Sequence, residues 1–280
     1  MGKFYELFGR KARGLLFTFK AMGPYYVFRE AIRRLFGTPY SYHGIEIRDV
    51  KTFRLINGLL YLGINFGHDG FDYFARTKYG IIYGKDLENL YVIHEDLEGD
   101  YSSLNAKGNV VIDVGAYHGE TALMFLNWGA KIVYAYEPVP EFYNYLIKTV
   151  KANGVENKVK AFNYGWWFSN GTLKLKLDYT CTGSLPGNTE VRVVNLVEEL
   201  LKISREVGDN FVVKMDCEGC EYSLLMASCD VLRLAKQYVI EIHGAIIPLI
   251  DKFINCGFKY EVIKQVRDYL SIVNFIRNHG

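Results

Sequence analysis

From residue 109 onward, apolar runs alternate with helical patterns, and no other feature restricts the fold as strongly. VVIDVG, KIVYAYEP, VKAFNY, FVVKMDCEG and QYVIEIHG are short and rich in Val, Ile, Phe and Tyr, as strands buried on both faces are. GETALMFLNWGA, PEFYNYLIKTVKANG, NLVEELLKISREV and IIPLIDKFINCG carry apolar residues at helical spacing, three of them with a glycine near the C-terminal end. A hairpin around SNGT and a loop through CTGSLPGN interrupt the series. Such alternation predicts an α/β fold whose mostly parallel sheet is wound by right-handed crossovers. FKYEVIKQV and YLSIVNFIR, turning at Arg267-Asp268, add an antiparallel C-terminal hairpin at one edge.

Two sections precede this domain of 109–280. Residues 1–37 carry eight basic side chains (Lys3, Arg10, Lys11, Arg13, Lys20, Arg29, Arg33, Arg34) against Glu6 and Glu30, although the whole chain has a net charge of only +2. Phe4, Leu7 and Phe8 fall at helical spacing. A second helix opens at Pro24 and closes at Gly37, with Tyr25, Phe28, Ile32, Leu35 and Phe36 on one side and Arg29, Arg33 and Arg34 on the other. The favoured reading packs the apolar side on its own domain and solvates the arginines; the alternative lays the arm on an anionic membrane or another polyanion. Residues 38–108 read as a small β-rich cap: GIEIRDV alternates, Asn57-Gly58 sits between apolar runs as a hairpin turn would, and YGIIYG and LYVIHEDL are strand-like.

No stretch approaches the roughly 18 uninterrupted apolar residues of a spanning helix, and the N-terminus lacks the pattern of a secretory signal. MGKFYE has Glu6 where myristoylation wants Ser or Thr. The expected location is therefore cytoplasmic, with a peripheral contact on the inner membrane surface through residues 1–37 as the alternative for the arm. Five cysteines, at 181, 217, 220, 229 and 256, are an odd number and argue against a secreted disulfide framework. Cys217-x-x-Cys220 lacks the second close pair that a zinc knuckle wants, with a redox pair as the remaining alternative, and Asp216 with Glu218 lacks a third ligand for a divalent ion, so no metal is expected. Asn170-Gly171-Thr172 is read as a hairpin turn rather than a glycosylation site.

In an open α/β sheet, ligands bind beyond the carboxyl ends of the strands, where strand order reverses. The first strand ends at Asp113, and Gly115 and Gly119 let the backbone come close to a ligand. A dinucleotide site wants G-x-G-x-x-G, but Tyr117 stands in the second glycine's place. Asp113 would repel a phosphate and attract a ligand with an ammonium or sulfonium. Glu137, at the second strand tip, is placed to accept bonds from ribose hydroxyls, Asn163 at the third to read an adenine edge, and Asp216 at the fourth to lie near the transferred group.

The segments DVGAYHGE, AYEPVPEFYNYL, KANGVENKVKAFNYG, KMDCEGCEYSLL and IEIHG resemble the FkbM-type family of class I S-adenosylmethionine-dependent methyltransferases, over about 109–276. The resemblance implies a Rossmann-like seven-stranded sheet and methyl transfer from S-adenosyl-L-methionine, usually to a hydroxyl of a sugar, glycan, lipid or other small molecule. It implies that Asp113, Gly115, Tyr117, His118, Gly119, Glu137, Asn163 and Asp216 line the cofactor. The family commonly has Asn where Tyr117 stands, and NYGWWFSNG has tryptophans where smaller residues are usual.

Methyl transfer to a hydroxyl needs alignment, worth roughly 7–11 kcal/mol at best, and gains about 10²–10⁴ in rate from a general base. Base candidates are His243, whose ordinary pKa suits neutral pH, Glu218 and Glu221; the two glutamates serve equally as caps of the following helix. Thr182 and Ser184 are candidate substrate contacts. Tyr164, Trp166 and Trp167 are read as core. Three rivals stand against this reading. An RNA methyltransferase would use the basic arm, although the near-neutral total charge makes nucleic acid the lesser partner. An NAD-dependent oxidoreductase is opposed by the missing glycine. A catalytically silent membrane-surface or scaffold protein would keep only the fold.

Overall fold

In the computed structural model, which describes residues 11–97, 101–176, 184–267 and 269–278, the cap signals divide evenly: GIEIRDV and YGIIYG hold strands, and the Asn57-Gly58 run and LYVIHEDL are helical. Two helices, α1 (Lys11–Met22) and α2 (Pro24–Phe36), are followed by β1 (Tyr40–Tyr42), β2 (Ile45–Ile47), α3 (Val50–Tyr61), β3 (Asn65–His68), β4 (Tyr73–Thr77), β5 (Gly80–Gly84) and α4 (Leu87–Leu97). β1 and β2 form an antiparallel pair, and β3–β4–β5 form an antiparallel meander. α2 has the expected bounds: Pro24 lies in its first turn, and Gly37 closes it at φ 70°, donating its N–H to the Arg33 carbonyl. The Phe4–Phe8 pattern lies outside the described residues.

Two expected strand features are helices. Asn57-Gly58 sits inside α3, not in a hairpin, because Ile56 and Leu59 recur at helical spacing on a buried face and Asp49 caps the helix by accepting the Thr52 N–H at 2.7 Å. The Asn57 side chain bonds back to the Phe53 carbonyl at 2.9 Å. LYVIHEDL belongs to α4, whose entry is tied by Asn89 N–H to Asp86 Oδ1 (2.9 Å) and Lys85 N–H to Asn89 Oδ1 (3.0 Å).

The chain divides into compact units of 1–94 and 95–280. In the second, a 3₁₀ turn (Tyr101–Ser103) precedes β6 (Val110–Val114), α5 (Glu120–Asn127), β7 (Ile132–Tyr136), α6 (Pro140–Ala152) and β8 (Val159–Phe162). Then come β9 (Gly165–Trp167), β10 (Gly171–Lys176), β11 (Ser184–Asn195), α7 (Leu196–Val207), β12 (Phe211–Met215), a second 3₁₀ segment (Cys220–Met226), α8 (Cys229–Leu232), β13 (Gln237–His243), α9 (Ile247–Asn255), β14 (Phe258–Arg267) and β15 (Leu270–Arg277). Seven strands form one sheet in the order β14-β15-β13-β12-β6-β7-β8, parallel from β13 to β8, with β15 antiparallel to both its neighbours. This is the expected Rossmann-like α/β sheet with a terminal hairpin. β6 and β12 are buried along their whole length, as strands covered on both faces must be. A second small sheet, β10-β11-β9, extends from the end of β8.

The cysteines depart from expectation. Cys217 is bonded to Cys220 and Cys229 to Cys256, while Cys181 lies outside the described residues. The second pair is 27 residues apart in sequence, so only the folding of α9 back beside α8 brings its members together.

Candidate functional site

Strand order reverses between β6 and β12, so Gly115 and Asp216 leave the sheet side by side. The N–H groups of Gly115 and Ala116 both donate to the Tyr136 carbonyl at 3.0 Å. Gly115 has φ 80°, and a Cβ there would stand 1.7 Å from the Asp216 carbonyl oxygen. No side chain fits where the two strand ends converge. Tyr117 also adopts a left-handed conformation, at φ 43°, which is costly for a residue with a Cβ. Its ring stacks on His118 (4.0 Å between centroids) and meets Phe142 edge-on (4.7 Å).

Beneath this loop lies a fully buried ion pair. Lys214 is the register partner of Asp113, its Nζ is 3.2 Å from Asp113 Oδ1, and it donates to the Gly115 carbonyl at 2.6 Å. Thr121 Oγ1 donates to Asp113 Oδ2 at 2.6 Å. The charge of Asp113, expected to face a sulfonium, is therefore engaged inside the protein, where it fixes the loop. The His118 ring is also fully buried, among Tyr117, Phe142 and Tyr145.

Glu137 sits at the tip of β7 and accepts N–H bonds from Tyr117 (3.0 Å) and Val139 (2.8 Å). Burial pushes its carboxyl up to about 8, against those two donors. Asn163 spends its amide donors on the carbonyls of Glu137 (2.9 Å) and Pro138 (3.3 Å), so it shapes this turn. Gly119 closes the loop at φ 91° and caps α5.

Across the cleft, acidic groups surround one imidazole. His243 Nε2 lies 3.5 Å from Glu218, 3.6 Å from Glu241 and 4.0 Å from Asp216, and Nδ1 lies 3.5 Å from Glu221. Burial works against the imidazolium, but the Glu221 contact and the charges of Asp216, Glu218 and Glu221 outweigh it and hold His243 up at about 9. At neutral pH His243 is therefore a cation, which removes the base-ready imidazole expected from its ordinary pKa. Asp216, Glu241 and His243 each offer one donor atom within 4.8 Å of the others, a spacing that accommodates a divalent ion. Glu221 is fully buried and accepts the N–H groups of Gly219 and His243, both at 2.8 Å; it positions the histidine and cannot meet a substrate. Glu218 lines the cleft at φ 55°, a strained conformation.

The opposite wall is apolar: Trp167, Leu173, Leu175, Val191 and Val193 face Gly115, Glu137 and Asp216. Trp166 is core, as expected, and Tyr164 donates to Glu199 at 3.2 Å. Thr182 lies outside the described residues, and Ser184 begins β11.

Reading the sequence alone missed three polar residues. Lys214 stands two residues before Asp216, and Glu241 two before His243 on the same strand face, so both were within reach of the alternation rule. Tyr101 was not: its hydroxyl lies 3.0 Å from Asp216 and 3.4 Å from Glu241 across more than a hundred residues.

The model of the FkbM methyltransferase domain matches residues 113–280, well over half the chain. The chain belongs to this family. It is a methyltransferase by family, and the match begins at Asp113 under the glycine loop. A search of curated proteins finds no match. Among solved structures, a protein from Listeria monocytogenes serotype 4b is 11% identical, with 66% of this chain and 68% of that one covered and a TM-score of 0.43. TrmK of M. capricolum, solved with S-adenosyl-homocysteine, is 13% identical, with 68% of each chain covered and a TM-score of 0.41. TYW2 of M. jannaschii, solved with AdoMet, is 16% identical, with 77% and 87% covered and a TM-score of 0.39.

Proposed function

We propose that this FkbM-family chain moves a methyl group from S-adenosylmethionine to a hydroxyl of a sugar, glycan, lipid or other small molecule, with Glu218 as general base. The observation that carries the reading is the junction of Gly115 and Asp216, which keeps side chains out beside the buried Glu137 carboxyl. The residues fit an adenosyl group. Glu137 has acceptor capacity beyond its two N–H bonds for ribose hydroxyls, and Leu173, Leu175, Val191 and Val193 offer an apolar wall to a base.

S-adenosylmethionine, when bound, supplies a methyl carbon activated by a sulfonium leaving group. The chain's own work is placement and proton transfer. Gly115 and Asp216 bound the reacting end of the cleft. Glu218 accepts the proton that the acceptor hydroxyl loses as its oxygen takes the methyl carbon. His243, already protonated, cannot take that proton; it holds Asp216 and Glu218 together through its charge. Glu221 and Tyr101 keep His243 and Asp216 in position.

Calorimetric titration with S-adenosylmethionine, followed by S-adenosylhomocysteine release with a panel of hydroxylated acceptors, tests this. Glu218→Gln is expected to keep cofactor affinity and to slow release by about 10²–10⁴. Absence of binding heat in the wild type would refute the cofactor, and wild-type turnover in Glu218→Gln would refute the base.

A further inference from the structure

α2 is amphipathic in the opposite sense from a helix that only packs on its own domain. Its inward side is ionic. Glu30 and Arg33 are buried, with Glu30 accepting from Arg33 (2.7 and 2.8 Å), Arg34 (2.6 Å) and the Tyr40 hydroxyl (3.3 Å), while Arg33 also donates to the Arg48 carbonyl at 3.2 Å. Its outward side is apolar: Tyr25 is 62% exposed, Phe28 63%, Leu35 76% and Phe36 76%. At 3.6 residues per turn these four lie within a stripe about 100° wide, and Phe19 of α1 adds another exposed ring. A contiguous face of large aromatic and aliphatic groups in water marks a surface meant for a partner.

We infer that this face of α2 seats the chain on a lipid surface bearing anionic headgroups. Charge complementarity selects that occupant. Residues 1–37 hold eight cations against two carboxylates, and one of the two, Glu30, is turned inward and neutralised by Arg33 and Arg34. Lys20, on the last turn of α1, is exposed. Phe, Tyr and Leu inserted at the headgroup boundary, with cations alongside, are the composition of a helix lying in an interface. A second copy of the chain suits the face poorly, because a two-fold contact through it would bring two basic segments together.

The test is cosedimentation of the full chain with vesicles of equimolar phosphatidylcholine and phosphatidylserine, and with phosphatidylcholine alone. Wild type should bind the anionic vesicles about tenfold or more tightly than the neutral ones and weaken as salt rises. Phe28→Ser with Leu35→Ser should lose about tenfold or more of the anionic binding. Both side chains are exposed, so circular dichroism and the thermal midpoint should stay unchanged. Equal binding by wild type and variant, equal binding to both vesicle types, or no binding to the anionic ones would overturn the proposal. A dimer in sedimentation equilibrium that the variant dissociates would assign the face to a second copy and overturn it too. None of these readouts depends on methyl transfer.

Discussion

At the residue scale, the site is governed by how burial and charge divide the carboxylates. Glu137 is the clearest case. Its ordinary value is 4.5 and burial raises it to about 8, so the folded protein carries a proton there that the unfolded chain releases between those values. A carboxyl raised in the fold contributes stability that is full below its unfolded value and fades as pH climbs toward 8. Wild type should therefore lose about 2 kcal/mol relative to Glu137→Gln between pH 6 and 8, measured by urea unfolding of both proteins. A pH-independent difference would refute the assignment. The same competition explains what could be read of the site: the strand-tip positions of Glu137, Asp216 and His243 follow from alternation. That Asp113 is paired with Lys214 and that His243 is a cation depend on neighbours that no local pattern names.

At the element scale, caps and cross-links decide what periodicity leaves open. Asp49 starts α3 through a run that carries a hairpin dipeptide, and the buried Ile56 and Leu59 select the helix over the turn. Asn195 caps α7 by accepting from Val197 (2.9 Å) and Glu198 (3.1 Å), where the pattern NLVEELL predicts the start. The Cys229–Cys256 bond closes a 27-residue span from α8 through β13 to the end of α9. Restricting a loop of that size in the unfolded chain stabilises by about 3–4 kcal/mol in the chain-entropy view. Replacing both cysteines by alanine should lower the unfolding free energy by about 2–4 kcal/mol in denaturant titration; an unchanged value would show that the bond constrains nothing the rest of the domain does not.

At the scale of the whole molecule, the site residues between Tyr101 and His243 all belong to the unit of 95–280, and the inverted helix belongs to 1–94. A fragment of 95–280 should thus bind S-adenosylmethionine within about threefold of the full chain, roughly 0.6 kcal/mol, by calorimetry; a loss beyond tenfold would mean that the first unit completes the site. By itself the sequence determined the α/β order from 109 onward, the glycine loop and the acidic strand tips, because buried parallel strands and their helices leave local signatures in apolar period and caps. Only the tertiary structure decided that Tyr101 and Glu241 join Asp216, that a separate small sheet walls the cleft, that four cysteines pair, and that α2 turns Glu30 and Arg33 inward. Those outcomes depend on burial and on contacts between distant residues, and local periodicity encodes neither.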